Sequence, residues 1–150
     1  MAYIGLVRPI IEYCSTVWDP YQKKYITQLE AIQRRAARYV CSNYDYRASV
    51  TEMLQRLQWE SLEYRRQRNR LIMLFKIHHS LIAIVPPAFL AHPQRQNPGF
   101  PHRFQTVYVS TEAYRNSFYI RTIREWNSLS PSIACQDSLG SFKTALSSIP

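Results

Sequence analysis

Apolar and polar positions recur with a helical period over most of the chain. Residues 3–17 predict a short helix or two half-helices, since Pro9 permits a kink or a fresh helical start. Trp18-Asp-Pro-Tyr21 predicts a turn, because a residue before proline is pushed out of the helical region. Residues 21–41 give the clearest helix. At about 100° per residue, Tyr25, Leu29, Ile32, Ala36, Tyr39 and Val40 share one arc. Lys23, Lys24, Arg34, Arg35 and Arg38 share an arc opposite, so one face reads as core and the other as a basic stripe. Only Glu30 offsets those cations on this helix, and the stripe can either follow a phosphate backbone or be a solvated face.

Ser49-Val-Thr-Glu52 is a capping-box pattern that starts a short helix through Leu57, with Met53, Leu54 and Leu57 inward. The next helix is expected over 61–83. Its second half, Leu71-Ile-Met-Leu-Phe-Lys-Ile77, is apolar nearly all round, as in a buried central helix. Arg65, Arg66, Arg68 and Arg70 in its first half cannot share one face, so some must pair with acids such as Glu60 or Glu63 or lie along the core rim. His78 and His79 are adjacent, which does not suit two ligands of one metal on a helix.

Pro86, Pro87, Pro93, Pro98 and Pro101 mark 84–103 as a connector to a second lobe. Phe104-Gln-Thr-Val-Tyr-Val-Ser110 alternates and is β-branched, which predicts a strand, with Ser117-Phe-Tyr as a short hairpin partner. A helix over 120–129 follows, with Trp126 as a core anchor. Ser138 caps a last helix with Leu139, Phe142 and Leu146 as its apolar stripe. The expected fold class is mainly α: a thumb-like helical bundle over 1–85, a proline-rich connector over 86–103, and a small α+β lobe with a short hairpin over 104–150.

Composition narrows the function. The 150 residues are 46% hydrophobic and 13% aromatic, which argues for a packed core. The net charge of +9 favours polyanions through counterion release, although surface charge also serves solubility. Three isolated cysteines give no CxxC pair, so zinc-finger spacing is absent and a reducing compartment fits best. Arg8, Pro9 and Glu12 interrupt the apolar N-terminus too early for a secretory signal, and the short apolar stretch from Leu81 to Ala91 holds two prolines, so no membrane partner is expected. No Ser-His-Asp spacing, glycine-rich phosphate loop or paired catalytic carboxylate stands out, and no cofactor is expected.

Four stretches, in order along the chain, carry a resemblance. They are Leu6-Val-Arg-Pro-Ile-Ile-Glu-Tyr-Cys-Ser-Thr-Val-Trp-Asp-Pro20, Gln33-Arg-Arg-Ala-Ala-Arg-Tyr-Val40, Leu57-Gln-Trp-Glu-Ser-Leu-Glu-Tyr-Arg-Arg66, and Tyr114-Arg-Asn-Ser-Phe-Tyr-Ile-Arg-Thr-Ile-Arg-Glu-Trp-Asn-Ser-Leu-Ser-Pro131. Together they resemble the C-terminal thumb and post-thumb segment of reverse transcriptases from LINE-type (non-LTR) retrotransposons of the jockey sort. The family's adjacent palm aspartates have no counterpart, since Asp19, Asp45 and Asp137 are scattered. The resemblance therefore implies a fragment of an RNA-directed DNA polymerase that lacks its catalytic palm and is not an enzyme on its own.

It further implies RNA, DNA or an RNA–DNA hybrid as partner, the polymerase palm as partner in a parent polypeptide, and an intracellular setting in nucleus and cytoplasm. The expected backbone contacts are Lys23, Lys24, Arg34, Arg35 and Arg38, with Arg115, Arg121 and Arg124 as a second set and Tyr119 stacking on an unpaired base. A structural module that docks on the missing palm, or a mobile-element remnant with no selected role, are the alternatives.

Overall fold

The computed structural model describes residues 2–91 and 103–148, and it is mainly helical. It divides into two compact units, Met1–Gln67 and Arg68–Pro150. The division falls between Gln67 and Arg68, inside a helix; the sequence places its proline-rich connector at 86–103. Residues 92–102 of that stretch, with Pro93, Pro98 and Pro101, lie outside the described residues.

In the first unit, a π-helical turn at Tyr3–Val7 runs into α1 (Arg8–Glu12), with Pro9 in its first turn, where a missing N–H costs nothing. A turn leads to α2 (Lys23–Val40). Helix α3 (Val50–Arg56) starts as its capping box requires, with Ser49 Oγ accepting from the Glu52 N–H at 3.3 Å. It ends where Gln58 takes a left-handed φ of 55° and the Trp59 N–H reaches back to the Leu54 carbonyl at 2.9 Å.

Tyr3, Ala37, Met53 and Trp59 form this unit's core, with the Tyr3 and Trp59 rings stacked at 4.6 Å. Gln33 is also buried: it accepts from the Tyr3 hydroxyl at 3.0 Å and donates to the Glu60 carbonyl at 2.8 Å. This pairing corrects the expected inner face of α2. The buried line runs through Gln33 and Ala37, while Tyr39 is 74% exposed and Tyr25 47% exposed. The helix is therefore turned so that part of its apolar arc faces outward.

Helix α4 (Leu62–His78) carries the chain across the division. It stops short of the expected residue 83. Ser80 takes a φ of 52°, and the Leu81 N–H closes on the Lys76 carbonyl at 2.8 Å, which satisfies an end carbonyl and reverses the chain.

The second unit adds α5 (Ala88–Ala91), α6 (Glu112–Arg115), α7 (Phe118–Trp126), α8 (Pro131–Ala134) and α9 (Leu139–Ser147) to the remainder of α4. Leu71, Leu74, Phe75, Leu90, Phe104, Ile123, Trp126, Phe142 and Leu146 make its core. Phe142 stacks on Phe75 at 4.5 Å and on Trp126 at 5.3 Å, so Trp126 is a core anchor. Ser138 caps α9 by accepting from the Ser141 N–H at 3.1 Å.

The expected hairpin is not formed. Among the described residues there is no strand: Phe104 makes a lone bridge, and Phe118 and Tyr119 belong to α7. The alternation over 104–110 reflects an extended segment with Phe104 buried and Tyr108 93% exposed. Its anchor is Asn127, whose side-chain amide both donates to and accepts from the Phe104 backbone, each at 2.9 Å.

Candidate nucleic-acid interface

The outward face of α2 carries Lys23, Lys24, Arg34 and Arg35 exposed and Arg38 half-buried. From Lys23 to Arg38 the stripe spans about 22 Å at 1.5 Å rise per residue. Among the described residues, none of the five makes an ion pair with an acid. Arg38 donates to the Asp45 carbonyl at 2.7 Å, which orients the guanidinium without cancelling its charge. Lys24 Nζ lies 5.8 Å from the Tyr25 ring centroid. Glu30, the single acid of α2, has its carboxylate turned to the start of α4, where Oε1 accepts from the Glu63 N–H at 2.9 Å. Arg34 shares a groove of about 340 Å³ with Glu30 and Glu63 but stays beyond ion-pair distance of both.

The α4 arginines contrast with that stripe. Arg65 grips Glu12 with two guanidinium nitrogens and reaches Glu60 at 3.4 Å, and the Glu12 carboxylate raises its pKa. Arg66 is 3% exposed; it donates to the Ile11 and Trp18 carbonyls at 2.6 and 3.0 Å and lies 3.5 Å from Asp19. Arg70, in the second unit, is 2% exposed and donates to Glu125 at 2.6 Å. Burial pushes the pKa of both Arg66 and Arg70 down from the usual arginine value. All three act as internal fastenings.

The second expected set is split by the fold. Arg115 and Arg124 are exposed and flank a groove of about 250 Å³ lined by Thr106, Val107, Tyr108, Val109, Ile120 and Ile123. Arg121 lies 3.4 Å from Glu125, one helical turn away. Tyr119 is half-buried, packs against the second core and meets the Phe118 ring at 5.0 Å. Arg121 and Tyr119 are therefore turned toward the protein itself.

The expected site residues leave out an aromatic groove beside the α2 stripe. It has a volume of about 690 Å³ and is lined by Trp18, Pro20, Tyr21, Tyr25, Leu29 and Ile32 among others. A signal was present in the sequence: three aromatics within eight positions, interrupted by Lys23-Lys24.

The aspartates have local roles. Asp19 lies by Arg66, Asp45 Oδ1 accepts from the Arg47 N–H at 2.9 Å, and Asp137 is exposed. Among the described residues, no three His, Cys, Asp or Glu side chains converge as a metal site would need, and Cys14, Cys41 and Cys135 are free thiols. His79 stacks on Phe75 at 4.1 Å and His78 meets the edge of Phe104 at 5.0 Å. No helix among the described residues is long and apolar enough to cross a membrane. Comparison with family models, curated proteins and solved structures gives no match to this chain.

Proposed function

We propose that this chain is the non-catalytic, nucleic-acid-holding tail of a LINE-type reverse transcriptase. It positions RNA, DNA or an RNA–DNA hybrid for a polymerase centre supplied elsewhere. The observation that carries this reading is the α2 stripe: Lys23, Lys24, Arg34 and Arg35 are exposed and unneutralised among the described residues, while the other arginines of the first helical unit's α4 segment, Arg65 and Arg66, are bound internally. Cations held in a row on a rigid helix displace counterions from a phosphate backbone, so binding is electrostatic and tolerant of sequence. The four stretches that resemble the family support this reading of the parent enzyme.

The test is affinity for an RNA–DNA hybrid across salt concentrations. Each phosphate contact adds about 0.9 to the magnitude of the log K against log salt slope for B-form duplex, and a comparable share is expected here. Replacing Lys23, Arg34 and Arg35 by glutamine should flatten the slope by about two to three contacts' worth. A slope that is absent, or unchanged by the triple replacement, removes this reading.

One further observation favours the docking alternative as a second reading. Leu6, Ile10, Tyr13 and Val17 are all exposed along the N-terminal segment, a spacing that puts apolar side chains on the surface where a larger polypeptide could cover them. Light scattering on a gel-filtered sample tests it: a monomer that binds no apolar dye speaks against an uncovered docking face.

A further inference from the structure

Beside the α2 stripe, the first unit holds a groove whose aromatic lining has no role in its own core. We infer that this groove takes an unpaired base of a single-stranded nucleic acid, stacked on Trp18 and Tyr25. This rests on the nucleic-acid reading above and narrows it from RNA, DNA or a hybrid to strands with free bases.

Trp18 is held as a platform. Its indole N–H donates to the Tyr13 carbonyl at 2.5 Å, which fixes the edge of the ring. The Arg66 guanidinium lies 4.2 Å from the ring centroid, and its donation to the Trp18 carbonyl locks ring and backbone together. Trp18 nevertheless remains 42% exposed, and it lines the groove together with Tyr21, Tyr25, Leu29 and Ile32. At about 690 Å³ the groove has room for a base, and its walls offer flat aromatic faces and aliphatic carbon without a dense set of polar groups. Such surfaces take any base by its π face.

Charge selects the occupant. The acid that lines the groove, Asp19, lies 3.5 Å from the buried Arg66. Lys24 is exposed, and its ammonium lies 5.8 Å from the ring of Tyr25, which lines the groove. Gln28, which also lines the groove, stands one turn from Lys24 and two turns from Arg35 along α2, so the groove opens onto the cationic stripe. A strand whose phosphates follow that stripe can turn a base into the groove. An uncharged apolar peptide would gain nothing from those cations.

Tryptophan fluorescence reads the site directly, because Trp18 is exposed while Trp59 and Trp126 are 7% and 2% exposed. The full chain is titrated with oligothymidylate, with an abasic oligonucleotide of the same length and charge, and with duplex. Base stacking quenches Trp18 with oligothymidylate and not with the abasic strand, and the base-bearing strand binds roughly 5- to 150-fold more tightly. Tyr25→Ala, at an exposed ring, lowers that preference while leaving abasic binding unchanged, and Trp18→Phe removes the quench while keeping the preference.

Equal affinity for both strands with no quench, together with a retained salt slope, overturns the stacking site and leaves the phosphate grip standing. Absence of salt-dependent binding to any of the three overturns both. A Trp18 already shielded from acrylamide in the free chain, with the mass of a dimer, overturns the site in favour of a second copy in the groove.

Discussion

The Asn127 side-chain amide clamps the backbone of Phe104 at two points, Nδ2 donating to the carbonyl and Oδ1 accepting from the N–H, both at 2.9 Å. The clamp holds an extended segment so that the Phe104 ring stays buried against Trp126 at 5.5 Å. Removing it leaves a donor and an acceptor of a part-buried backbone without those partners. Asn127→Ala is expected to lower stability by about 2–3 kcal/mol, read from urea denaturation. Asn127→Asp should fail to restore it, because a carboxylate accepts from the N–H but cannot donate to the carbonyl.

Gln33 and Tyr3 make a buried polar pair in the other unit. Burial pushes the Tyr3 hydroxyl up to about 12 from its ordinary value of 10.0. The folded state therefore keeps the proton longer than the unfolded chain does. Stability from this group is complete below the unfolded value and is lost as pH rises from about 10 towards 12. Tyr3→Phe should begin about 1–3 kcal/mol less stable, since Gln33 Oε1 loses its donor, and should show a shallower alkaline decline. Denaturation curves at neutral and alkaline pH would check both.

Not all arginines should matter to folding alike. Arg66 is buried under Trp18 with two backbone carbonyls and Asp19 around it, so Arg66→Ala is expected to cost about 3–5 kcal/mol. Lysine should not rescue it, because a single ammonium cannot reproduce a planar fork that serves two carbonyls and covers a ring. Arg35→Gln, at an exposed site, should stay within about 0.5 kcal/mol. Thermal melts of the three variants separate structural from surface cations.

His78 adds an acid-side dependence. Its pKa is lowered by burial first and by the neighbouring His79 second. The unfolded chain then binds a proton at a higher pH than the folded one, so this contribution is present above the ordinary histidine value and declines as pH falls through it. His78→Gln should flatten the loss of stability between about pH 7.5 and 5. An unchanged slope in that variant would count against the assignment.

What the residues alone decided lies in local, short-range chemistry. The capping hydroxyls of Ser49 and Ser138, the apolar run from Leu71 to Ile77 and the stripe of Phe142 and Leu146 all act within a few positions, and each produced the helix its pattern predicts. The outward basic face of α2 was legible for the same reason: exposed charge follows helical period.

Tertiary structure decided which face of α2 goes inward and which cations stay available. Gln33 outcompetes the aromatic arc as the inward residue because its two partners come from residues 30 and 27 positions away, and a buried amide is tolerated only when both ends are bonded. Arg65 and Arg70 find Glu12 and Glu125 across 53 and 55 positions, while Arg34 and Arg35, on the same kind of helix, meet no acid within ion-pair distance among the described residues. The β-like alternation at 104–110 formed no hairpin with 117–119, because Phe118 and Tyr119 lie in α7 and Asn127 holds the Phe104 backbone. Spacing along a chain sets the direction of a side chain about its own helix axis, but whether a charge is neutralised or a ring covered depends on partners that only the fold brings near.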